Sequence, residues 1–117
     1  MVQHVALEVR REDAEACAAF YELLGFARVR PPDSLAERAL WVERRGTQIH
    51  LFFAAEPTIP SQGHVAVVVA DFDQAWAALE RAGHDPERRA AHWGAPRGFV
   101  RDPAGHRVEV MASAPTA

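Results

Sequence analysis

The hexapeptide HVALEV at residues 4–9 returns as HVAVVV at residues 64–69, and the order of sequence signals after each copy is the same. Self-similarity of this kind means two copies of one supersecondary unit, which narrows the available folds more than any single motif does. After the first copy, apolar spacing predicts a helix over Glu12–Leu24 stopped by Gly25. After the second it predicts a helix over Phe72–Ala82 stopped by Gly83, each glycine supplying a left-handed cap. In the first helix Asp13, Ala16, Cys17, Phe20 and Leu24 share a face; in the second Phe72, Ala75, Trp76 and Leu79 do, as in a helix lying on a sheet.

Three short strand-like runs follow each helix, FARVR, ALWVE and TQIHLFF in the first half, and HDPERR, RGFVR and HRVEVMA in the second. Each half therefore reads β-α-β-β-β, and the expected class is α+β. Arg45-Gly46 separates the last two runs of the first half, and Asp102-Pro103-Ala104-Gly105 presets a tight turn at the matching place in the second. The intervening AAEPTIPSQG, residues 54–63, carries Pro57, Pro60 and Gly63 and is expected to form no ladder. Extended at about 3.3 Å per residue it reaches roughly 30 Å, enough for the second half to pair with its own first half or with that of another chain. At 117 residues a single domain is expected: repeat one 1–53, linker 54–63, repeat two 64–112 and tail 113–117.

Strand alternation then sorts the polar residues by face. In HVALEV, His4, Ala6 and Glu8 share one face, while Val5, Leu7 and Val9 share the other and should meet the helix. In TQIHLFF, Ile49, Leu51 and Phe53 form the apolar set, with Gln48, His50 and Phe52 opposite; in HRVEVM, Val108 and Val110 are apolar, with Arg107, Glu109 and Met111 opposite. His50 and Glu109 stand at equivalent distances from the start of their repeats to within one residue. Each repeat thus offers one candidate ligand on its first strand and one on its last: His4 with His50, and His64 with Glu109. Imidazole and carboxylate together suit one divalent ion of zinc, nickel, iron or manganese.

Composition removes several alternatives. All 13 basic residues are Arg, which excludes lysine Schiff-base chemistry and the lysine of a phosphate-binding loop. The lone Cys17 excludes an intrachain disulfide and any zinc site needing two thiolates, and its place on the apolar helical face marks it as core. A net charge of −3 without basic runs argues against nucleic acid or anionic membrane as partner. The chain shows no signal-peptide pattern at MVQHVALEV and no apolar stretch of about 18 residues, so a soluble, cytoplasmic protein is expected.

Four segments, HVALEV with AFYELLGF, TQIHLFF, GHVAVVV and the closing FVRDPAGHRVEVM, resemble the vicinal oxygen chelate superfamily, which includes glyoxalase I, bleomycin-resistance proteins, fosfomycin-resistance transferases, extradiol dioxygenases and methylmalonyl-CoA epimerase. The resemblance covers nearly the whole chain. It implies two βαβββ repeats forming an open, mostly antiparallel, barrel-like sheet with helices outside, often completed between the chains of a homodimer. It further implies His4, His64 and Glu109 as metal ligands. His50 occupies the position that is Glu in glyoxalase I and Gln in the epimerase, a departure from the two-glutamate glyoxalase pattern. The shared mechanism implies a metal with open positions for two substrate oxygens, and Glu109 or Glu8 as base. Glu8 reads equally as a barrel-lining residue paired with an arginine.

Trp41, His92, Trp93 and Arg97 are the candidate substrate-pocket residues, Trp93 as an apolar wall and Arg97 as an anion holder in the loop RRAAHWGAPRGF. His84 and His106, beside turn glycines, read as surface residues. The leading functional expectation is a glyoxalase-like, metal-dependent lyase or isomerase acting on a small oxygen-rich or carbonyl metabolite. The alternatives are a metal-free, bleomycin-resistance-type sequestering protein and a fosfomycin-resistance-like transferase. The last lacks its Lys and Ser pair here and has Phe99 where Tyr stands in that family.

Overall fold

The computed structural model describes residues 1–115, so residues 116 and 117 of the expected tail lie outside the described residues. The chain divides into two compact units, Met1–Ile59 and the segment from Pro60 onward, with the boundary inside the Pro-rich connector. The first unit runs β1 (His4–Val9), a 3-10 turn (Arg11–Asp13), α1 (Ala14–Glu22), β2 (Ala27–Val29), β3 (Ala39–Arg44) and β4 (Thr47–Phe53). The second runs β5 (His64–Val68), α2 (Phe72–Arg81), β6 (Glu87–Arg89), β7 (Arg97–Arg101) and β8 (Arg107–Met111). The α+β class and the two βαβββ repeats are therefore the fold the chain adopts.

Each unit is an open four-stranded mixed sheet, ordered β1-β4-β3-β2 in the first and β5-β8-β7-β6 in the second. In both, the first and last strands of the repeat pair in parallel and the remaining neighbours are antiparallel. The parallel pairing follows from the helical crossover, since a strand can return beside itself in the same direction only through a long connection.

The helices cover one face of each sheet. Cys17, Phe20 and Tyr21 of α1 are fully buried together with Val42, Ile49 and Leu51 of the strands. In α2 the four residues placed on its apolar face, Phe72, Ala75, Trp76 and Leu79, are all buried. The first helix departs from its expected span and face. It starts at Ala14 because Asp13 accepts no capping hydrogen bond, and the preceding residues tighten into a 3-10 turn. Ala16 is exposed, and Ala14, Ala18 and Tyr21 are buried instead.

The turns behave as their residues dictate. Gly25 and Gly83 close the helices with φ of 94° and 83°, and Phe26 N–H and His84 N–H reach back to Tyr21 and Leu79 carbonyls. Arg45 and Gly46 both take positive φ, the geometry that matches a two-residue hairpin to strand twist. In the second hairpin Asp102 Oδ1 accepts from the N–H groups of Ala104 and His106. His106 is only 4% exposed, which corrects its surface assignment: the Asp102 carboxylate folds the turn inward around it. His84 is half-buried.

Candidate functional site

In the first unit the site face is set by register. Parallel pairing puts His4 beside Gln48 and Ala6 beside His50, and antiparallel pairing puts Trp41 opposite His50. Cross-strand partners share a face, so the three rings stack: His50 lies 3.7 Å from Trp41 at 1°, and 4.1 Å from His4 at 14°. His50 is 5% exposed although the helix packs on the other face of its strand, because the neighbouring rings cover it.

A hydrogen-bond chain fixes which nitrogen of His50 is available. Gln48 Nε2 donates to Glu43 Oε1 at 2.8 Å, so the amide oxygen faces His50 Nε2, also at 2.8 Å. That oxygen accepts only, so Nε2 carries the ring proton and the lone pair is on Nδ1. His4 Nδ1 pairs with Gln3 Oε1 at 2.7 Å, which leaves the His4 Nε2 lone pair open. Orienting bonds of this kind hold metal-binding imidazoles in register. Gln48 and Glu43 were not singled out from sequence, though strand alternation places Gln48 beside His50.

Burial, and secondarily the charge of His4, holds the His50 pKa below its ordinary 6.5. The ring is then neutral near pH 7, the form that donates to a metal. Because the folded value is depressed, the stability this neutral ring contributes is fully present above about pH 6.5 and is lost as pH falls through the folded value. A proton-NMR titration should find His50 titrating below a model histidine, and His50→Gln should reduce the acid-side loss of stability. A His50 midpoint at or above 6.5 would contradict this.

In the second unit His64 Nδ1 lies 2.8 Å from the Gln62 carbonyl and Nε2 lies 3.1 Å from Glu109 Oε1. The carbonyl can only accept, so Nδ1 carries a proton. Glu109 is 7% exposed, and its other oxygen accepts from Arg97 Nε at 2.8 Å. Arg97 also donates to the Ala90 carbonyl, tying the 90–96 loop to β7. The guanidinium expected to wait for an anion is thus engaged with Glu109. Phe99, the cross-strand partner of Glu109, meets the His64 ring edge-on at 5.0 Å.

The remaining candidates are more loosely placed. Glu8 lies on the exposed face of β1 with His4, and its Oε1 accepts from Thr58 N–H of the connector at 2.7 Å. Trp41 Nε1–H is buried and has no acceptor among the described residues. Trp93 donates to the Ser113 carbonyl and stands 5.5 Å from the Arg97 guanidinium. His92 is exposed, 6.4 Å from Trp93. Each unit by itself therefore brings two of the candidates together, His4 stacked on His50 and His64 against Glu109. Among the described residues no group of three or more His, Cys, Asp or Glu is arranged to hold a metal ion.

Comparison with known proteins agrees with the topology. A glyoxalase family protein from Bacillus anthracis superposes with a TM-score of 0.85 at 26% identity, over 95% of this chain and 93% of that one. A lactoylglutathione lyase from Agrobacterium tumefaciens gives 0.71 at 21% identity, over 95% and 92%. A glyoxalase/dioxygenase from Nostoc punctiforme gives 0.76 at 22% identity, over 95% and 89%. No curated protein matches the sequence. The family model for the glyoxalase/bleomycin resistance protein/dioxygenase superfamily matches residues 2–110, nearly the entire chain. That match, over two βαβββ units of the same strand order, establishes that the chain belongs to the glyoxalase/bleomycin resistance protein/dioxygenase superfamily.

Proposed function

We propose that this protein is a divalent-metal enzyme of the glyoxalase type, acting on a small oxygen-rich or carbonyl metabolite by proton transfer or by lyase or isomerase chemistry. The observation that carries this reading is the approach of His64 Nε2 to Glu109 Oε1 at 3.1 Å while His64 Nδ1 is tied to a carbonyl. Two acceptors meet so closely only with a cation or a proton between them. Ligands about 2.0–2.1 Å from a shared ion stand roughly 2.8–3.4 Å apart for ligand–ion–ligand angles between octahedral and tetrahedral, a range that includes the 3.1 Å separation. Zinc, nickel, iron and manganese all accept this donor chemistry.

Such an ion takes three or four protein ligands, and we assign His4, His64 and Glu109 with His50 as the fourth. One chain or the two chains of a homodimer supplies them. When bound, the ion polarises adjacent oxygens of the substrate. The protein's own groups do the rest. Arg97 fixes the rotamer of Glu109 and so aims Oε1 at His64. Glu109, or Glu8 from the open face of β1, accepts the substrate proton. The Trp41 ring walls the pocket, and its N–H, without an acceptor among the described residues, is a ready donor to a substrate oxygen. Trp93, with His92 beside it, covers the approach to Arg97.

Solvent deuterium exchange at carbon beside the carbonyl of small α-hydroxy and α-oxo compounds tests this reading by NMR. Exchange is expected to stop in chelator, to return with one of the four metals, and to fall at least a hundredfold in Glu109→Gln, in line with the usual size of general-base effects. Exchange that persists in chelator and in the variant would contradict it.

A second reading, a metal-free sequestering protein of the bleomycin-resistance type, is favoured by one observation: Arg97 already occupies Glu109 Oε2. It predicts ligand binding that is the same with and without chelator. Among the described residues no helix is long and apolar enough to cross a membrane.

A further inference from the structure

We propose that the open face of the second sheet carries an oxyanion subsite centred on Arg101 and Arg107, which takes a carboxylate or phosphate group of a small metabolite. The proposal names the substrate class for the preceding reading, and rests on that reading only in taking the bound ligand to be the substrate.

The first argument is cross-strand pairing. Arg101 stands directly opposite Arg107, and Arg89 directly opposite Arg97. Like charges facing each other across a sheet are destabilising, so such pairs need neutralisation. Arg97 is neutralised by Glu109, and Arg89 has Glu87 at 3.5 Å. Among the described residues no salt bridge serves Arg101 or Arg107; Arg101 bonds only the neutral Gly105 carbonyl.

The duplicated fold supplies an internal control. Register makes Glu43 and Gln48 of the first unit the counterparts of Arg101 and Arg107, since each pair lies opposite one another two residues from the stacked position held by Trp41 or Phe99. In the first unit that pair is closed by a hydrogen bond of 2.8 Å. In the second unit the same positions hold two guanidinium groups. The sheet tolerates a self-satisfied pair there, so the two cations mark a difference in what the second unit binds.

The third argument is shape. Phe99, Arg101 and Arg107 line a cleft of about 280 Å³, together with Arg89, Glu87 and Asp85. Once Arg89 offsets Glu87, two guanidinium groups face one carboxylate, a net positive lining. The Arg107 guanidinium carbon sits 3.8 Å over the centre of the Phe99 ring. A cation–π contact of this kind steadies the guanidinium without using its N–H donors, which suit the bidentate grip that carboxylate and phosphate accept. Arg107 is also the backbone cross-strand partner of His64, so the subsite and the His64–Glu109 pair share neighbouring strands, although neither His64 nor Glu109 lines the cleft.

Titrations with inorganic phosphate and with benzoate, at constant ionic strength set by sodium chloride and with chelator throughout, test the subsite apart from any metal. Saturable backbone NMR shifts over residues 99–109 are expected with at least one probe, and the tighter probe names the preferred oxyanion. Arg107→Gln should weaken that binding at least tenfold, Arg107→Lys should retain part of it, and Arg45→Gln, in the exposed hairpin of the first unit, should leave it unchanged. Arg101→Gln provides the same reading should Arg107→Gln fail to fold. In low salt without ligand, Arg107→Gln should melt no lower than wild type, because a like-charge pair has been removed. Absence of saturable binding in wild type, or equal binding in wild type and both Gln variants, would overturn the proposal.

Discussion

Glu109→Ala is expected to destabilise the second unit by roughly 3–5 kcal/mol, the usual result of removing one partner from a buried ion pair. The Arg97 and Glu109 side chains are only 11% and 9% exposed, so loss of the carboxylate leaves a guanidinium that water reaches poorly. The same change frees His64 Nε2 and cuts the link between β7 and β8 on the site face. Urea unfolding of wild type, Glu109→Ala, Arg97→Ala and the double variant separates these contributions. The double variant should recover about 2 kcal/mol relative to the sum of the single losses, within the range found for residues in one charged network. Simple additivity would show that the pair is not coupled.

Gly98→Ala is expected to cost about 3 kcal/mol, at the upper end of overpacking penalties. Gly98 does not sit in the left-handed region, so the reason is space and not backbone strain. A Cβ there would run into the Trp76 ring of α2 and the Glu87 carbonyl of β6 at once. The helix and the edge strand close on the same position from two sides, and only a residue without a side chain lets both approach. Urea unfolding of Gly98→Ala and of Gly98→Ala/Trp76→Leu checks the cause. Removing the ring should restore part of the loss, and the backbone carbonyl should keep the rest. An unaffected Gly98→Ala midpoint would contradict the packing described.

The sequence revealed more of the fold than of the site, for a physical reason. The apolar face of α2, the helix-closing glycines and the spans of β4 and β7 are local patterns, each written in one stretch of chain, and the repeat shows as two such stretches with the same order of signals. The start of α1 is not legible because periodicity does not show a missing cap, and its buried face turns toward Ala14, Ala18 and Tyr21 and away from Ala16. His106 was read as exposed because its turn residues look polar, whereas the Asp102 carboxylate satisfies the turn from within. At the site, alternation correctly put Arg107 and Glu109 on one face, but the meeting of Arg97 with Glu109 depends on cross-strand register, which alternation within a strand does not encode. The Glu43–Gln48 bond and the pairing of Phe99 with Glu109 depend on register in the same way.

The proposal that His64 and Glu109 help to hold a metal ion is tested most directly by metal analysis of protein purified without chelator. Wild type should carry close to one equivalent of zinc, nickel, iron or manganese per site, and His64→Ala and Glu109→Gln, verified as folded by circular dichroism, should lose most of it. Negligible metal in wild type, or equal metal in all three proteins, would contradict the account.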